Sequence, residues 1–110
     1  MSDDSQIVIP PSFIALFVDP GRSRAREPRA HIAARYELCE DLAHMLTEHA
    51  RERLWALGIT ERDVLERVHR GLLEPGAGLD AAEARWVTRR LAEVLEWPWP
   101  DLWPQAPTDG

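Results

Sequence analysis

The chain has 110 residues, a formal net charge of −6 and a hydrophobic fraction of 45%, which fits one domain with one core. All 13 residues counted as Lys or Arg are arginine. The lack of lysine excludes a Schiff-base lysine, a pyridoxal-phosphate lysine and the lysine of a Walker A phosphate loop. The single cysteine, Cys39, excludes an intrachain disulfide and any multi-cysteine metal site.

Neither a signal-peptide pattern nor an apolar run near the ~20 residues of a membrane span occurs in the sequence. Together with the low cysteine content, this predicts a cytoplasmic protein with no membrane partner. The acidic balance argues against nucleic-acid binding over the whole chain. No motif in the sequence predicts a cofactor.

The N-terminal segments come first in chain order. Residues 1–6 are polar and are expected to be disordered. Residues 7–29 form an apolar arm followed by an arginine-rich loop. Within the arm, Ser12 follows two prolines and is a suitable N-cap, which favours a short helix over residues 12–18 rather than a strand.

A long central helix is predicted over residues 30–57. Apolar side chains recur there at steps of three and four from Ile32 to Leu57, and Gly58 follows as a helix-ending residue. Further side chains widen the apolar stripe to nearly half the circumference: Leu38, Leu42 and Met45. His49 falls in the same arc. We therefore expect this helix to be central and His49 to be a hydrogen-bonded histidine at the edge of the core.

Two shorter helices are predicted over residues 61–73 and 81–96. Each begins with a capping pair, Thr60 with Asp63 and Asp80 with Glu83. The tail over residues 97–110 alternates tryptophan with proline and is expected to be extended. The predicted fold class is all-α: a small helical domain with one long central helix, two shorter helices and irregular N- and C-terminal arms.

Two acid-x-x-His pairs are the candidate metal ligands, Asp41 with His44 and Glu66 with His69. A carboxylate and an imidazole at this spacing share one helix face, and such pairs on two helices build metal sites in bundles. The alternative is a solvated acidic face, since Asp41 and His44 lie opposite the apolar stripe. Cys39 lies within the stripe and is predicted to be a buried, unreactive thiol.

The tail is the first candidate for partner binding, through Trp97, Trp99 and Trp103. Tryptophans spaced by prolines offer a large apolar area at low ordering cost, which is typical of a protein contact. The alternative is that the tail folds back over the third long helix and closes the core.

The arginine-rich loop is the second candidate. Residues 20–36 carry five arginines against Glu27, a balance of +4, whereas residues 37–52 carry five acids against Arg51, a balance of −4. Arg22, Arg24 and Arg26 have the planar donors that bind phosphate or carboxylate, so an anionic ligand or a nucleic acid is one alternative. Because no aromatic residues are interleaved with them, pairing with the protein's own acidic face or that of a second copy is as consistent with the pattern.

Several stretches resemble a small family of bacterial proteins named "ATPase with chaperone activity". The resemblance is carried by Ile9-Pro10-Pro11-Ser12-Phe13-Ile14-Ala15-Leu16, by Pro20-Gly21-Arg22, by residues 34–43 and by Glu83-Ala84-Arg85-Trp86-Val87. It covers most of residues 6–97 and implies association with a chaperone or an ATPase. The family name implies nucleotide binding, but this chain has no Walker A pattern and no functional residue is carried over.

The sequence thus favours a non-catalytic protein-interaction or adaptor module that binds a protein partner or itself. No serine, cysteine or histidine set has the spacing of a catalytic group, so no catalytic residue is predicted. The alternatives are a metal-binding helical protein and a protein that binds an anionic ligand or nucleic acid through the loop over residues 22–35.

Overall fold

The computed structural model describes residues 8–99, and within that range the regular secondary structure is helical apart from one β-bridge between Val18 and Ala25. The helices are α1 (Pro11–Ile14), α2 (Arg29–Leu57), α3 (Glu61–Leu72) and α4 (Ala81–Leu95), with 3₁₀ turns at Ala15–Phe17 and Pro75–Ala77. The all-α prediction is confirmed, and the bounds of α2, α3 and α4 lie within one residue of those predicted. None of these helices is long and apolar enough to cross a membrane.

The sequence indicated the residue that ends α2 and the residues that start α3 and α4. The Thr60 hydroxyl accepts a hydrogen bond from the Asp63 backbone N–H at 3.1 Å. Asp80 and Glu83 form a full capping box, in which each side chain accepts from the other residue's backbone N–H, at 2.8 and 3.1 Å. Gly58 ends α2 with a φ of 62°, in the left-handed region that favours glycine.

The core lies between α2, α3 and α4, and its most extensive helix–helix contact joins α2 to α4. The side chains of α2 at the centre of this core are small: Cys39, Ala43 and Ala50 are fully buried. Ile32 near the start of α2 is buried as well, and most of the larger buried side chains come from the other helices: Val64, Leu65, Val68 and Leu72 of α3, and Val87, Leu91 and Leu95 of α4. The long helix therefore buries a narrow face on which both shorter helices pack.

The predicted half-circumference of buried apolar side chains on α2 is wrong. Leu38 and Met45 are 45% and 73% exposed, and His49 is exposed rather than at the edge of the core. The reason is that α3 and α4 both pack on the same arc of α2, so neither covers the neighbouring arc that holds these residues. Leu42 is half-buried at the boundary between the two arcs.

A buried ion pair joins α2 to α4. Arg35 donates from Nε and Nη2 to the two carboxylate oxygens of Glu83, both at 2.8 Å, and from Nη2 to the Gly78 carbonyl at 2.9 Å. The Glu83 side chain is 5% exposed and also caps its own helix. One carboxylate thus fixes the start of α4, the α2–α4 contact and, through Arg35, the loop before α4.

The N-terminal arm packs over the end of this pair of helices. Phe13 of α1 is fully buried, and its ring centroid lies 5.0 Å from that of Trp86 and 5.6 Å from that of Tyr36, both edge-on. The Trp86 indole N–H donates to the Ser12 hydroxyl at 3.1 Å. The expected short helix is present as α1 and the 3₁₀ turn that follows it, but the predicted N-cap is wrong. Pro10 is the N-cap, with no side-chain cap bond, and Ser12 lies within the first turn.

Removal of the buried carboxylate is expected to destabilise the fold strongly. Glu83→Ala leaves Arg35 without its bidentate partner and the Asp80 backbone N–H without its acceptor, which together should lower the free energy of unfolding by ~3 kcal/mol. Glu93→Ala on the same helix is the matched control, because its ion pairs are exposed and should cost ~0.5 kcal/mol. Urea unfolding followed by circular dichroism measures both, and equal losses would show that the Arg35–Glu83 pair is not a structural centre.

Acid is expected to unfold the protein through two paired carboxylates. Burial favours the neutral form of Glu83, but hydrogen bonds from Arg35 and from the Asp80 backbone hold its pKa below the ordinary value. A hydrogen bond from Arg90 lowers the pKa of Glu40, and His44 adds to this effect. Both groups are thus more acidic in the folded chain than in the unfolded chain.

Their contribution should be complete above the unfolded glutamate pKa of about 4.3 and should be lost as the pH falls through the lower folded values. Urea unfolding at successive pH values between neutral and acid measures this loss. A Glu40→Gln/Glu83→Gln variant should lose less stability over the same range, and a variant with the same pH dependence as the original chain would contradict the assignment.

Candidate interaction surfaces

One side of α2 carries alternating apolar and acidic side chains that the fold does not cover. We call these six residues the acidic–apolar stripe, and all of them are exposed: Leu38, Asp41, Met45, Glu48, Glu52 and Trp55. They follow one another at steps of three and four, which places them along one side of the helix. Trp55 is 88% exposed. Within residues 8–99, none of the three carboxylates forms an ion pair.

A groove of about 360 Å³ lies between α2 and α3. Its apolar lining comes from both helices: Leu46, Leu57, Val64, Val68 and Leu72. The polar side chains around it are His49, Arg53 and Arg67, and no carboxylate from residues 8–99 lines it. Arg53 and Arg67 are exposed and pair with no acid in the described part of the chain.

An aromatic cleft of about 620 Å³ separates the N-terminal arm from α4. Leu16, Tyr36 and Trp86 contribute apolar surface, and Arg89, Arg90 and Glu93 contribute charge. Arg90 is already held by Glu40, to which its Nε and Nη2 donate at 2.9 Å, and by Glu93 at 3.2 Å. These bonds raise the pKa of Arg90. Its guanidinium therefore serves to join α4 to α2.

The residues of the arginine-rich loop are not alike. Arg22 and Arg24 are exposed and make no ion pair with any described residue. Arg26 instead donates to Asp19 at 3.2 Å and lies over the Phe17 ring, 5.5 Å from its centroid. Its backbone N–H also donates to the Phe17 carbonyl, at 2.8 Å. Arg26 thus fastens the loop to the arm, while Arg22 and Arg24 remain available to a partner.

The start of the Trp-Pro tail lies against the protein. Trp97 and Trp99 are half-buried and pack against the core, and the Arg89 guanidinium carbon lies 5.3 Å from the centroid of the Trp99 ring. Both residues thus have an intramolecular contact. Trp103 lies outside the described residues.

The candidate metal ligands form no common site in one chain. No three His, Cys, Asp or Glu side chains among residues 8–99 are placed so that they could hold one metal ion. His44 is 3.0 Å from the Glu40 carboxylate, and Glu66 accepts from Arg62 at 3.2 Å. Asp41 is exposed on the acidic–apolar stripe, and burial lowers the pKa of His69.

Sequence reasoning missed two of these surfaces. The groove depends on how α2 and α3 pack, which helical periodicity does not specify. The acidic–apolar stripe could have been found from the exposed face alone, since Asp41, Glu48 and Glu52 alternate with apolar residues at helical spacing. Assigning Leu38 and Met45 to the core concealed it.

Comparisons of the chain with protein-family models, with curated proteins and with solved structures gave no match. The resemblance to the bacterial family therefore stays an expectation from the sequence. What the protein does has to be argued from its surfaces.

Cys39 is expected to be inert in the folded protein. Its side chain is fully buried between α2 and α4, and this burial raises the pKa of the thiol to about 12. A thiol reagent such as Ellman's reagent should therefore react with less than one-tenth of the folded chains in the time that it needs to label all chains in denaturant. Rapid labelling of the folded protein would indicate an accessible thiolate and would contradict the assignment of Cys39 as a buried, unreactive thiol.

Proposed function

We propose that the protein is a small, non-catalytic interaction module that binds another protein molecule through the acidic–apolar stripe of α2. The observation that carries this proposal is the exposure of Leu38, Met45 and Trp55 on the longest helix of the fold. Tryptophan and methionine are enriched at protein interfaces, and tryptophan is common among the residues that dominate binding energy.

The carboxylates in the stripe define the kind of surface that it fits. Asp41, Glu48 and Glu52 have no cationic partner within the described chain, so a partner with arginine or lysine beside apolar side chains would pair them. Such charges select the partner and its orientation, while Met45 and Trp55 supply apolar area. Two kinds of partner are open: a second copy of the chain and, through the family resemblance, a chaperone or an ATPase.

Site-specific photo-crosslinking in the native cells tests this function. A benzophenone amino acid placed at Met45 or Trp55 should join the protein to one defined partner on irradiation, because both positions lie inside the proposed interface. The same probe at Arg70, which is exposed on α3 and outside the stripe, is the matched control and should give at least tenfold less of that product.

Mass spectrometry of the crosslinked product identifies the partner, whether it is a different protein or a second copy of this chain. If the two stripe positions give no product beyond that of the Arg70 control, the stripe is not an interface and the proposal fails.

A further inference from the structure

The α2–α3 groove and the acidic–apolar stripe are opposite in charge and lie on the same helix. The groove has Arg53 and Arg67 around an apolar lining with no carboxylate, whereas the stripe has Glu48 and Glu52 beside Met45 and Trp55. All four of these charged side chains lack an ion-pair partner within residues 8–99. This contrasts with the structural arginines Arg35 and Arg90, which are paired.

The two surfaces also match in length and in position along the α2 axis. The C-terminal part of the stripe runs from residue 45 to residue 55, about 15 Å along the helix at 1.5 Å per residue. The groove follows α2 from residue 46 to residue 57, about 17 Å. Around the helix axis the centres of the two surfaces are about a third of a turn apart, and Met45 of the stripe and His49 of the groove lie at the edges that face each other.

We propose that the occupant of the groove is a second copy of this chain, with the Met45–Trp55 part of each stripe lying along the α2–α3 groove of the other protomer. This inference rests on the proposed function and names its partner. Glu48 and Glu52 of one copy then lie beside Arg53 and Arg67 of the other, and Trp55 contacts the apolar lining of the groove.

Symmetry supports a second copy with parallel α2 helices. A two-fold axis that runs parallel to the two α2 helices, between the copies, places the stripe of each copy opposite the groove of the other. The facing residues then lie at the same position along the helices. Both contacts are buried in one closed dimer. Leu38, Leu42 and Met45 then face their counterparts near the axis. An antiparallel pairing sets stripe against stripe, and this is disfavoured because like charges across an interface repel.

Reciprocal charge reversal tests the pairing. Two double variants are made, Glu48→Arg/Glu52→Arg and Arg53→Glu/Arg67→Glu, and sedimentation velocity measures the mass of each over a range of concentrations. The original chain should be a dimer, and each variant alone should have a dissociation constant raised roughly 100-fold or more. An equimolar mixture of the two variants should recover the dimer, because the reversed stripe then meets the reversed groove.

The matched control is Arg24→Glu/Arg70→Glu, which makes the same charge change at two exposed, unpaired arginines outside both surfaces and should leave the dimer unchanged. Far-UV circular dichroism checks that every variant keeps its helices, and the single reversals Glu48→Arg and Arg67→Glu replace any double variant that does not.

The outcomes separate this inference from the function on which it rests. A monomer at all concentrations overturns the inference, yet crosslinking of Met45 or Trp55 to a different protein would keep the proposed function. A dimer that withstands both double reversals also overturns it, because the copies then associate through another surface. A monomer without a crosslink to any protein ends both proposals.

Discussion

The fold depends on the close packing of α2 against α4 through small side chains. Cys39, Ala43 and Ala50 of α2 are fully buried, and Ala84 and Ala92 are the small residues on the buried face of α4. Small residues at a helix contact allow the two axes to approach closely. A larger side chain at such a position would have to displace its neighbours, at a typical cost of ~1–3 kcal/mol. This constraint explains why α2 meets α4 at these positions with small side chains, while Leu38, Met45 and Trp55 lie outside the contact.

The charges of α2 divide in the same way. Toward α4, Arg35 pairs with Glu83 and Glu40 pairs with Arg90, so each pair has one member on each helix. These two pairs join the helices at successive heights, which fixes their relative position along the axis as well as their separation. On the far side, Asp41, Glu48 and Glu52 form no ion pair within residues 8–99. The internal charges are thus explained by folding, whereas the outer ones are not.

Helical periodicity and capping chemistry were enough to predict the elements, because both are local. Thr60, Asp80 and Gly58 mark helix ends by interactions within a few residues, and the structure confirms each of them. The prediction that failed was which side chains of α2 are buried. A helical wheel does not show whether two neighbouring helices pack on the same arc of a helix or on different arcs. Leu38 and Met45 are apolar, and His49 falls in the same arc of the helix. They are exposed because α3 and α4 both pack on another arc of α2.

The buried polar groups of the described chain are bound by partners within the fold. The residues that are left to explain a function therefore lie on the surface. Glu83 is held by Arg35 and by its own helix start, and the Thr88 hydroxyl donates to the Ala84 carbonyl at 2.8 Å. Shifted pKa values occur at active sites and also in structural ion-pair networks. Here the shifts at Glu40 and Glu83 follow from pairs that join α2 to α4. Chemistry at these groups would require breaking the contacts that hold the helices together, whereas binding along the outer side of α2 would leave those contacts intact.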